Sequence, residues 1–380
     1  NWVINLIFIN NCSIIEHKYI WKKKTSYVAL SADILNKGHI NIIKTASKYG
    51  KVIVGLLTDR AIASYKKLPY LNFEQRMIVV KNIKYVYKVV PQYTLDHTDN
   101  LIKYKPDYVV HGDDWKKGFL KKTRSQVIKT LSKWNGKLIE PKYTKNIPAS
   151  QIKEKIREIG ATADFRRSKL SRLLNAKSLV RVLECHTPLT GLIVENLNFK
   201  QEKKIKEFDC MWSSSLTDSV SRGMPDNQSV DYSTRVNGVI DIFNVTTKPM
   251  IFDIDNGGQI EHLPIIVRKL DRAGVSAIIM EDKIGLKKNS LFADQSDVGQ
   301  DSITNFCKKI RKAKESAISD DFFVISRIES LILGKSINDA LKRAIAYSRA
   351  GADCVMIHSK DKNPNSIFRF AKLFKKSKYQ

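Results

Sequence analysis

The chain reads as an α/β protein in two units: a parallel sheet with helices on both faces, then a (β/α)8 barrel. Three observations predict this. From Ser26 onward, short apolar runs alternate with helical stretches of roughly 10 to 15 residues. A second alternating series starts near Leu192 and proceeds through successive βα units without reversal. Two acidic segments, Asp253-Ile254-Asp255 and Glu281-Asp282-Lys283, close the apolar runs Pro249–Phe252 and Ala277–Met280. Carboxylates at the C-terminal ends of neighbouring parallel strands converge on one mouth of a barrel, where active sites form.

The elements follow in order. The stretch Asn1 to Ile15 is apolar but lacks a basic start and a small-residue cleavage pattern, so residues 1–25 are expected to be a frayed extension rather than a signal peptide. In the first unit, residues 26–155, strands are expected at Tyr27–Ser31, Val52–Leu57, Val86–Val90, Tyr108–His111 and Lys137–Glu140. Helices are expected at His39–Tyr49, Phe73–Ile83 and Leu120–Trp134. A helical connection with the basic stretch Arg166-Arg167-Ser168-Lys169 spans residues 156–175. In the second unit, residues 176–380, strands are expected at Leu192–Glu195, Cys210–Ser213, Met250–Asp253, Ala277–Met280, Phe323–Arg327 and Cys354–His358. The clearest intervening helices are Leu263–Ala273, Thr304–Lys314 and Ile337–Ala350. Six strands are two short of a closed barrel, and the chain stops one helix after the sixth. The expectation is a barrel truncated after strand six, because an open one leaves two unpaired edges.

Composition narrows the function. Lys and Arg number 66 against 38 acids, for a net charge of +28. The charge is spread along the chain, with local clusters such as Lys121–Arg124 and Lys372–Lys378. Such a surface attracts nucleic acids and small anions alike. No zinc-finger spacing, arginine-rich arm or aromatic repeat points to nucleic acid as the main partner. The five cysteines are scattered and lack CxxC spacing, which argues for reduced thiols in a cytoplasmic protein. No apolar run approaches the roughly 20 residues of a membrane span.

Asp253, Asp255 and Glu281 offer hard oxygen ligands, which suit Mg2+ before zinc. Lys287, Asn289, Arg327 and His358 are expected on the same rim. Taken singly, Arg327 beside Glu329 is a plain rim ion pair, His358 a strand-end histidine, Lys287 a solvated loop charge and Trp212 a core residue. Their joint order at successive strand ends points to a metal-dependent enzyme.

Five segments carry a specific resemblance: Trp212-Ser-Ser-Ser-Leu-Thr-Asp218, Asp253-Ile-Asp255, Glu281-Asp-Lys-Ile-Gly-Leu-Lys-Lys-Asn-Ser290, Ser326-Arg-Ile-Glu329 and Met356-Ile-His-Ser-Lys360. Together they resemble the phosphoenolpyruvate mutase family of the isocitrate lyase superfamily, from about Arg172 to the chain end. The Glu-Asp-Lys-x3-Lys-x-Asn-Ser stretch matches mutases rather than lyases. The resemblance implies transfer of a phosphoryl group from the enol oxygen of phosphoenolpyruvate to C3, giving phosphonopyruvate. It implies Mg2+ held directly by Asp253 and through water by Asp255 and Glu281. It assigns catalysis to Asp226, Lys287, Asn289, Arg327 and His358, and substrate contacts to Trp212, Ser214, Ser215, Leu216 and Ser359. The segment from Asp282 to about Ala293 is similar to the family's gating lid. The full-length form is expected to be a homo-oligomer. The alternatives within the superfamily are phosphonopyruvate hydrolysis and C–C lyase chemistry, and outside it an inactive nucleotide- or nucleic-acid-binding protein.

In the first unit, Asp33-Ile-Leu-Asn36-Lys-Gly38-His39 follows the first strand and opens a helix, where a phosphate would bind. With Gly55-Leu-Leu-Thr-Asp59, Gln75-Arg76 and His111-Gly-Asp113-Asp-Trp-Lys116, it resembles a Rossmann-like cytidylyltransferase domain over about Tyr27 to Glu154. The resemblance implies a CTP site formed by Asn36, Gly38, His39, Asp59, Arg76, His111, Asp113 and Ser150. Two departures weigh against turnover. Asn36 stands where the family has the first His of its His-x-Gly-His motif, and Asn cannot carry a proton's charge to a phosphate. Ile147-Pro148-Ala149-Ser150 replaces an Ile-Ser-Thr-Thr stretch, which removes an N–H and two hydroxyls.

Overall fold

The computed structural model describes residues 24–377 apart from 117, 119, 143–160, 202–203, 286, 292–293 and 296. The expected extension at 1–25 therefore falls almost wholly outside the described residues, as does Ser150.

The first sheet holds five parallel strands: β1 (Thr25–Leu30), β2 (Lys51–Leu57), β3 (Val86–Gln92), β4 (Tyr108–Val110) and β5 (Lys137–Ile139). Their spatial order is β3-β2-β1-β4-β5. The order therefore reverses at β1. In such a sheet, the crevice outside the C-terminal ends of β1 and β4 is where a ligand binds. Helices cover both faces, since the two clusters packed on opposite sides are led by Val28, Val54 and Ile43, and by Tyr27, Ile53 and Trp115. Alternate residues of β1 and β2 thus face opposite layers, as a pleat requires.

The second sheet is also parallel. Its strands are β6 (Val182–Glu184), β9 (Cys210–Ser213), β10 (Met250–Asp253), β11 (Ala277–Glu281), β14 (Phe323–Ile328) and β15 (Cys354–Ile357), paired in chain order. Two short antiparallel ladders decorate it: β7 (Asn198–Gln201) with β8 (Lys204–Glu207), and β12 (Lys283–Ile284) with β13 (Gly299–Gln300). This is the six-strand portion of a barrel wall. Its outer layer packs Phe252, Met280 and Val324 against Leu270, Phe306 and Tyr347 of the surrounding helices.

One expected strand is corrected. Leu192–Glu195 lies inside the helix Pro188–Asn196, and the first strand of the sheet is Val182–Glu184. The local chemistry explains the helix. Thr187 Oγ1 accepts from the Thr190 N–H at 3.2 Å, and Pro188 occupies the first turn. The apolar run is not a buried strand: Leu189, Leu192 and Ile193 are exposed. Gly191 instead lies so close to the next helix that an added Cβ would stand 2.9 Å from Ile242 Cγ2.

Between the two sheets runs the helix Ala163–Ala176, capped by Thr162. Its Leu170 joins a cluster with Cys210, Ala277, Ile279 and Ile325 of the barrel strands. Arg166 is 1% exposed. It donates to the carbonyls of Thr246 (2.6 Å), Lys248 (2.7 Å) and Phe243 (3.2 Å), and lies over the Phe243 ring. Burying an arginine is unfavourable unless its donors are matched, and here they are matched mainly by carbonyls. Arg166→Ala should leave those carbonyls unpaired and lower stability by about 3 kcal/mol. Urea denaturation measures this, and a loss below about 1 kcal/mol would mean the stitch is not a principal contact of the fold.

Candidate active sites in the two units

The barrel site begins where β10 ends. Asp255 has φ of 54°, the left-handed region that non-glycine residues rarely occupy. Its N–H donates to Asp253 Oδ1 at 2.8 Å, and its carbonyl accepts from the Glu281 N–H at 2.8 Å. Gly257 completes the turn with φ of 76°, and a Cβ there would meet Met280 Sδ at 2.5 Å. This turn sets Asp255 beside Asp253 and Glu281. All three carboxylates are buried.

Two cations meet them. Lys287 Nζ pairs with Asp255 Oδ1, donates to Ser215 Oγ at 2.7 Å, and lies 3.7 Å from Asp226 Oδ1. Arg327 comes from β14, directly opposite Glu281 in the ladder. Its Nη2 is 3.3 Å from Glu281 Oε2 and its Nη1 3.7 Å from Asp253 Oδ2. Its Nε donates to Glu329 Oε1 at 2.5 Å. His358 Nδ1 lies 2.9 Å from the same Glu329 oxygen and 3.0 Å from Arg327 Nη2. Ser290 Oγ donates to Glu329 Oε2 at 2.7 Å and receives Lys283 Nζ at 2.8 Å.

The electrostatics follow from burial. Desolvation pushes the Glu281 carboxyl up to about 7, although Arg327 and Lys287 pull against it. Asp255 is raised for the same first reason. Burial also works against the charges of Lys287 and Arg327, but the surrounding carboxylates outweigh it and both stay firmly protonated. Glu329 goes the other way, down to about 2: burial opposes its charge, but the His358 contact and Arg327 prevail.

A cavity of about 210 Å3 opens onto this cluster. Its walls include Trp212, Ser214, Ser215, Leu216, Asp226, Asp253, Lys287, Asn289, Arg327 and His358. Asp255 and Glu281 are not on the lining; their paired cations are. Ser359 is also off the lining, where its hydroxyl accepts from the Asp361 N–H at 3.1 Å. Ser290, from the motif that ends on it, and Leu291, from the expected gating segment, also line the cavity, as does Glu184, which was not singled out from sequence. Arg235 was missed entirely. It is 2% exposed, donates to Asp218 Oδ2 at 2.9 Å, and has Nη1 3.8 Å from Asp255 Oδ2.

Among the described residues, no three His, Cys, Asp or Glu side chains form a ready-made metal cluster. Lys287 and Arg327 lie against the three acids instead. The donor set still suits a hard dication: Glu281 Oε2 lacks a hydrogen-bond partner, and burial raises the proton affinity of Glu281 and Asp255. Mg2+ retains several waters, so it does not need all three carboxylates in direct contact.

The second pocket, about 680 Å3, lies at the crevice outside β1 and β4. Asn36, Gly38, His39 and His111 line it, with Lys44, Lys48, Lys66 and Lys142 against, among the described residues, the one carboxylate Asp114. Asn36 caps the first helix: its Oδ1 accepts from the N–H of Gly38 (2.9 Å) and His39 (3.3 Å). The Asn36 N–H donates back to His39 Nδ1 at 3.2 Å, a bond that assigns the ring proton to Nε2. Burial, then the Lys66 charge, lowers the proton affinity of His39. His111 stacks on Trp115 at 3.8 Å, and Trp115 is fixed by Glu140, which also takes a two-bond fork from Arg124. Asp59, Arg76 and Asp113 were expected at the nucleotide but do not line the pocket. Arg76 is fully buried, held by Asp59 Oδ1 (2.7 Å) and the carbonyls of Ser31 and Leu57.

Residues 170–378 match the phosphoenolpyruvate phosphomutase family model. The chain belongs to that family. Residues 31–156 match a cytidylyltransferase-like model. Phosphoenolpyruvate phosphomutase of Tetrahymena pyriformis is 34% identical over 211 residues, 55% of this chain and 66% of that protein. Phosphonopyruvate hydrolase of Variovorax sp. strain Pal2 is also 34% identical, over 206 residues, 53% of this chain and 67% of the hydrolase. Glycerol-3-phosphate cytidylyltransferase of Bacillus subtilis is 30% identical over 89 residues, 23% of this chain and 69% of that enzyme. The solved phosphoenolpyruvate phosphomutase of Streptomyces platensis subsp. rosaceus superposes with a TM-score of 0.51 at 31% identity, covering 58% of this chain and 71% of that one. Equal identity to a phosphomutase and a hydrolase means the family match does not choose between them. No helix among the described residues is long and apolar enough to cross a membrane.

A buried acid with raised proton affinity favours the fold only while protonated. In the absence of divalent cations, Glu281 stabilises the protein fully below its ordinary range, about 4.3, and that contribution disappears as pH rises through about 7. Glu281→Gln is neutral throughout. Its melting temperature relative to the parent, measured in chelator, should therefore increase from pH 5 to pH 8. A constant or falling difference would contradict the assigned burial of that charge.

Proposed function

We propose that the barrel unit is a phosphoenolpyruvate mutase, interconverting phosphoenolpyruvate and phosphonopyruvate with Mg2+ and so forming the C–P bond of phosphonate biosynthesis. The observation that carries the reading is one small cavity whose walls combine anion-binding donors with Asp253, behind which Asp255 and Glu281 are buried. Asp253, Asp255 and Glu281 would hold the metal ion, which would draw charge from the carboxylate and enolate oxygens of a pyruvyl group.

The chain's own residues do the rest. Arg327 is pinned at Nε by Glu329, and its two terminal nitrogens, which here lie against Glu281 and Asp253, are the fork that an anionic oxygen would take. Ser290, held by Lys283 and Glu329, supports that orientation. His358 reaches the same anion from the next strand. Ser214, Ser215 and Leu216 present hydroxyls and backbone N–H groups to the carboxylate end. Lys287 and Asn289 come from the segment after β11 and line the cavity, where they would cover the phosphoryl group. Excluding water there is what separates migration of phosphorus from its loss to hydrolysis.

The second reading is phosphonopyruvate hydrolysis, favoured by the hydrolase relative of equal identity. The Lys287-x-Asn289 pair supports the mutase. 31P NMR of phosphonopyruvate with the full-length protein and Mg2+ decides. The expected product is phosphoenolpyruvate; inorganic phosphate with pyruvate would install the hydrolase instead. Asp253→Ala should slow phosphorus transfer by about a thousand-fold or more, as loss of roughly 4 kcal/mol of charge stabilisation implies. Unchanged turnover would refute the metal assignment.

For the first unit we propose a cytidine nucleotide site, supported by four lysines around a pocket at the switch point of the sheet. Asn36 already occupies the amides a phosphate would meet. Binding of CTP without efficient transfer is the consequence.

A further inference from the structure

We propose that Arg172, a residue in neither pocket, positions the nucleotide pocket through Asp59 and Arg76 and so couples that pocket to the helix leading into the barrel. The proposal rests on the nucleotide reading of the first unit given above.

Arg172 lies on the helix Ala163–Ala176. It reaches across to the first unit, where its Nη2 is 3.2 Å from Asp59 Oδ2 and donates to the Pro69 carbonyl at 2.7 Å. Its Nη1 donates to the Tyr70 carbonyl at 3.0 Å. Asp59 is shared, because its other oxygen holds Arg76 Nη2 at 2.7 Å. Arg76 in turn donates to the carbonyls of Ser31 (2.6 Å) and Leu57 (2.8 Å). Ser31 and Leu57 are pocket walls. A chain of charge-assisted bonds thus runs from the interdomain helix to the ends of β1 and β2.

A second path converges on the same wall. The segment gripped by Arg172 follows directly on Tyr65 and Lys66, which also line the pocket. Its far end is held by Asp33, whose Oδ1 accepts from the Tyr70 N–H at 2.6 Å. Lys67 pairs with Glu207 of the barrel unit at 3.0 Å, and the Tyr70 and Phe165 rings stack at 5.5 Å. The interdomain helix therefore holds the outer side of the segment that sets Lys66 against the pocket.

Buried, multiply bonded arginines have few alternative positions, so loosening one end of such a chain moves the other. Coupling is reciprocal: if the helix supports nucleotide binding, nucleotide must support the helix.

The test uses the full chain and CTP itself as the probe. Arg172→Ala and Asp59→Asn should each weaken CTP binding in calorimetry about tenfold, while the double variant should be no weaker than the worse single one. Arg172→Lys should recover only part of the loss, since it keeps the charge but not the fork. Hydrogen exchange supplies the readout that simple destabilisation would not move: saturating CTP should slow exchange in the helix Ala163–Ala176 of the parent and fail to do so in Arg172→Ala. Tighter or unchanged CTP binding in both single variants would overturn the proposal, as would CTP protection of that helix persisting without Arg172. If the parent binds no CTP, the nucleotide reading itself falls. A parent that binds CTP without protecting the helix overturns the coupling alone.

Discussion

The structure of the barrel mouth depends on a balance of buried charge. Asp253, Asp255 and Glu281 are withdrawn from water together, a configuration that is unfavourable without opposite charge nearby. Lys287 and Arg327 supply it in this state, and Arg235 stands behind Asp255. The arrangement dictates much around it. Glu329 exists to orient Arg327, Ser290 and Lys283 hold Glu329's neighbourhood in place, and the left-handed backbone at Asp255 is kept because its N–H and carbonyl are both bonded. Under the proposed function, a pyruvyl phosphate would carry the opposite pattern of charge to such a mouth once a dication was bound there.

Much of this site was visible in the sequence, on the strands and also in the loop that carries Lys287 and Asn289. Asp253, Glu281, Arg327 and His358 end or follow apolar runs of four to six residues, and period and position alone put them on one rim. Arg235 was invisible because it sits mid-helix and its partners Asp218 and Asp255 are local to it only in space. Glu184 was lost with its strand. The three-residue β6 has too few residues to show a period, while the Leu-Ile-Val run of the following helix imitates a buried strand. Five strands of each sheet were read to within a residue or two, because parallel strands covered on both faces are nearly continuous apolar runs.

In the first unit, a family motif and local physics compete for the same atoms. Asn36 is an excellent helix cap, and its side chain is used as one. Asp59 and Arg76 lie in segments that match cytidylyltransferase-like domains, yet their contacts are to carbonyls, to each other and, for Asp59, to Arg172. Motif membership marked the right neighbourhood. It did not distinguish side chains that reach the pocket from those that build the wall behind it, because the motif segments contain both kinds. Burial separates them: Arg76 is fully enclosed, whereas His39 and Lys66 reach the pocket.

In the proposed mechanism the three acids form one cation site, whose present partners are Lys287 and Arg327. Anomalous diffraction from crystals of the full chain soaked in Mn2+, which takes the same oxygen ligands as Mg2+, tests it most directly. A single strong peak is expected within direct coordination distance of Asp253, about 2.0 to 2.3 Å, with Lys287 drawn away from Asp255. Saturating Mn2+ that leaves this mouth without a peak, with Lys287 still on Asp255, would contradict it.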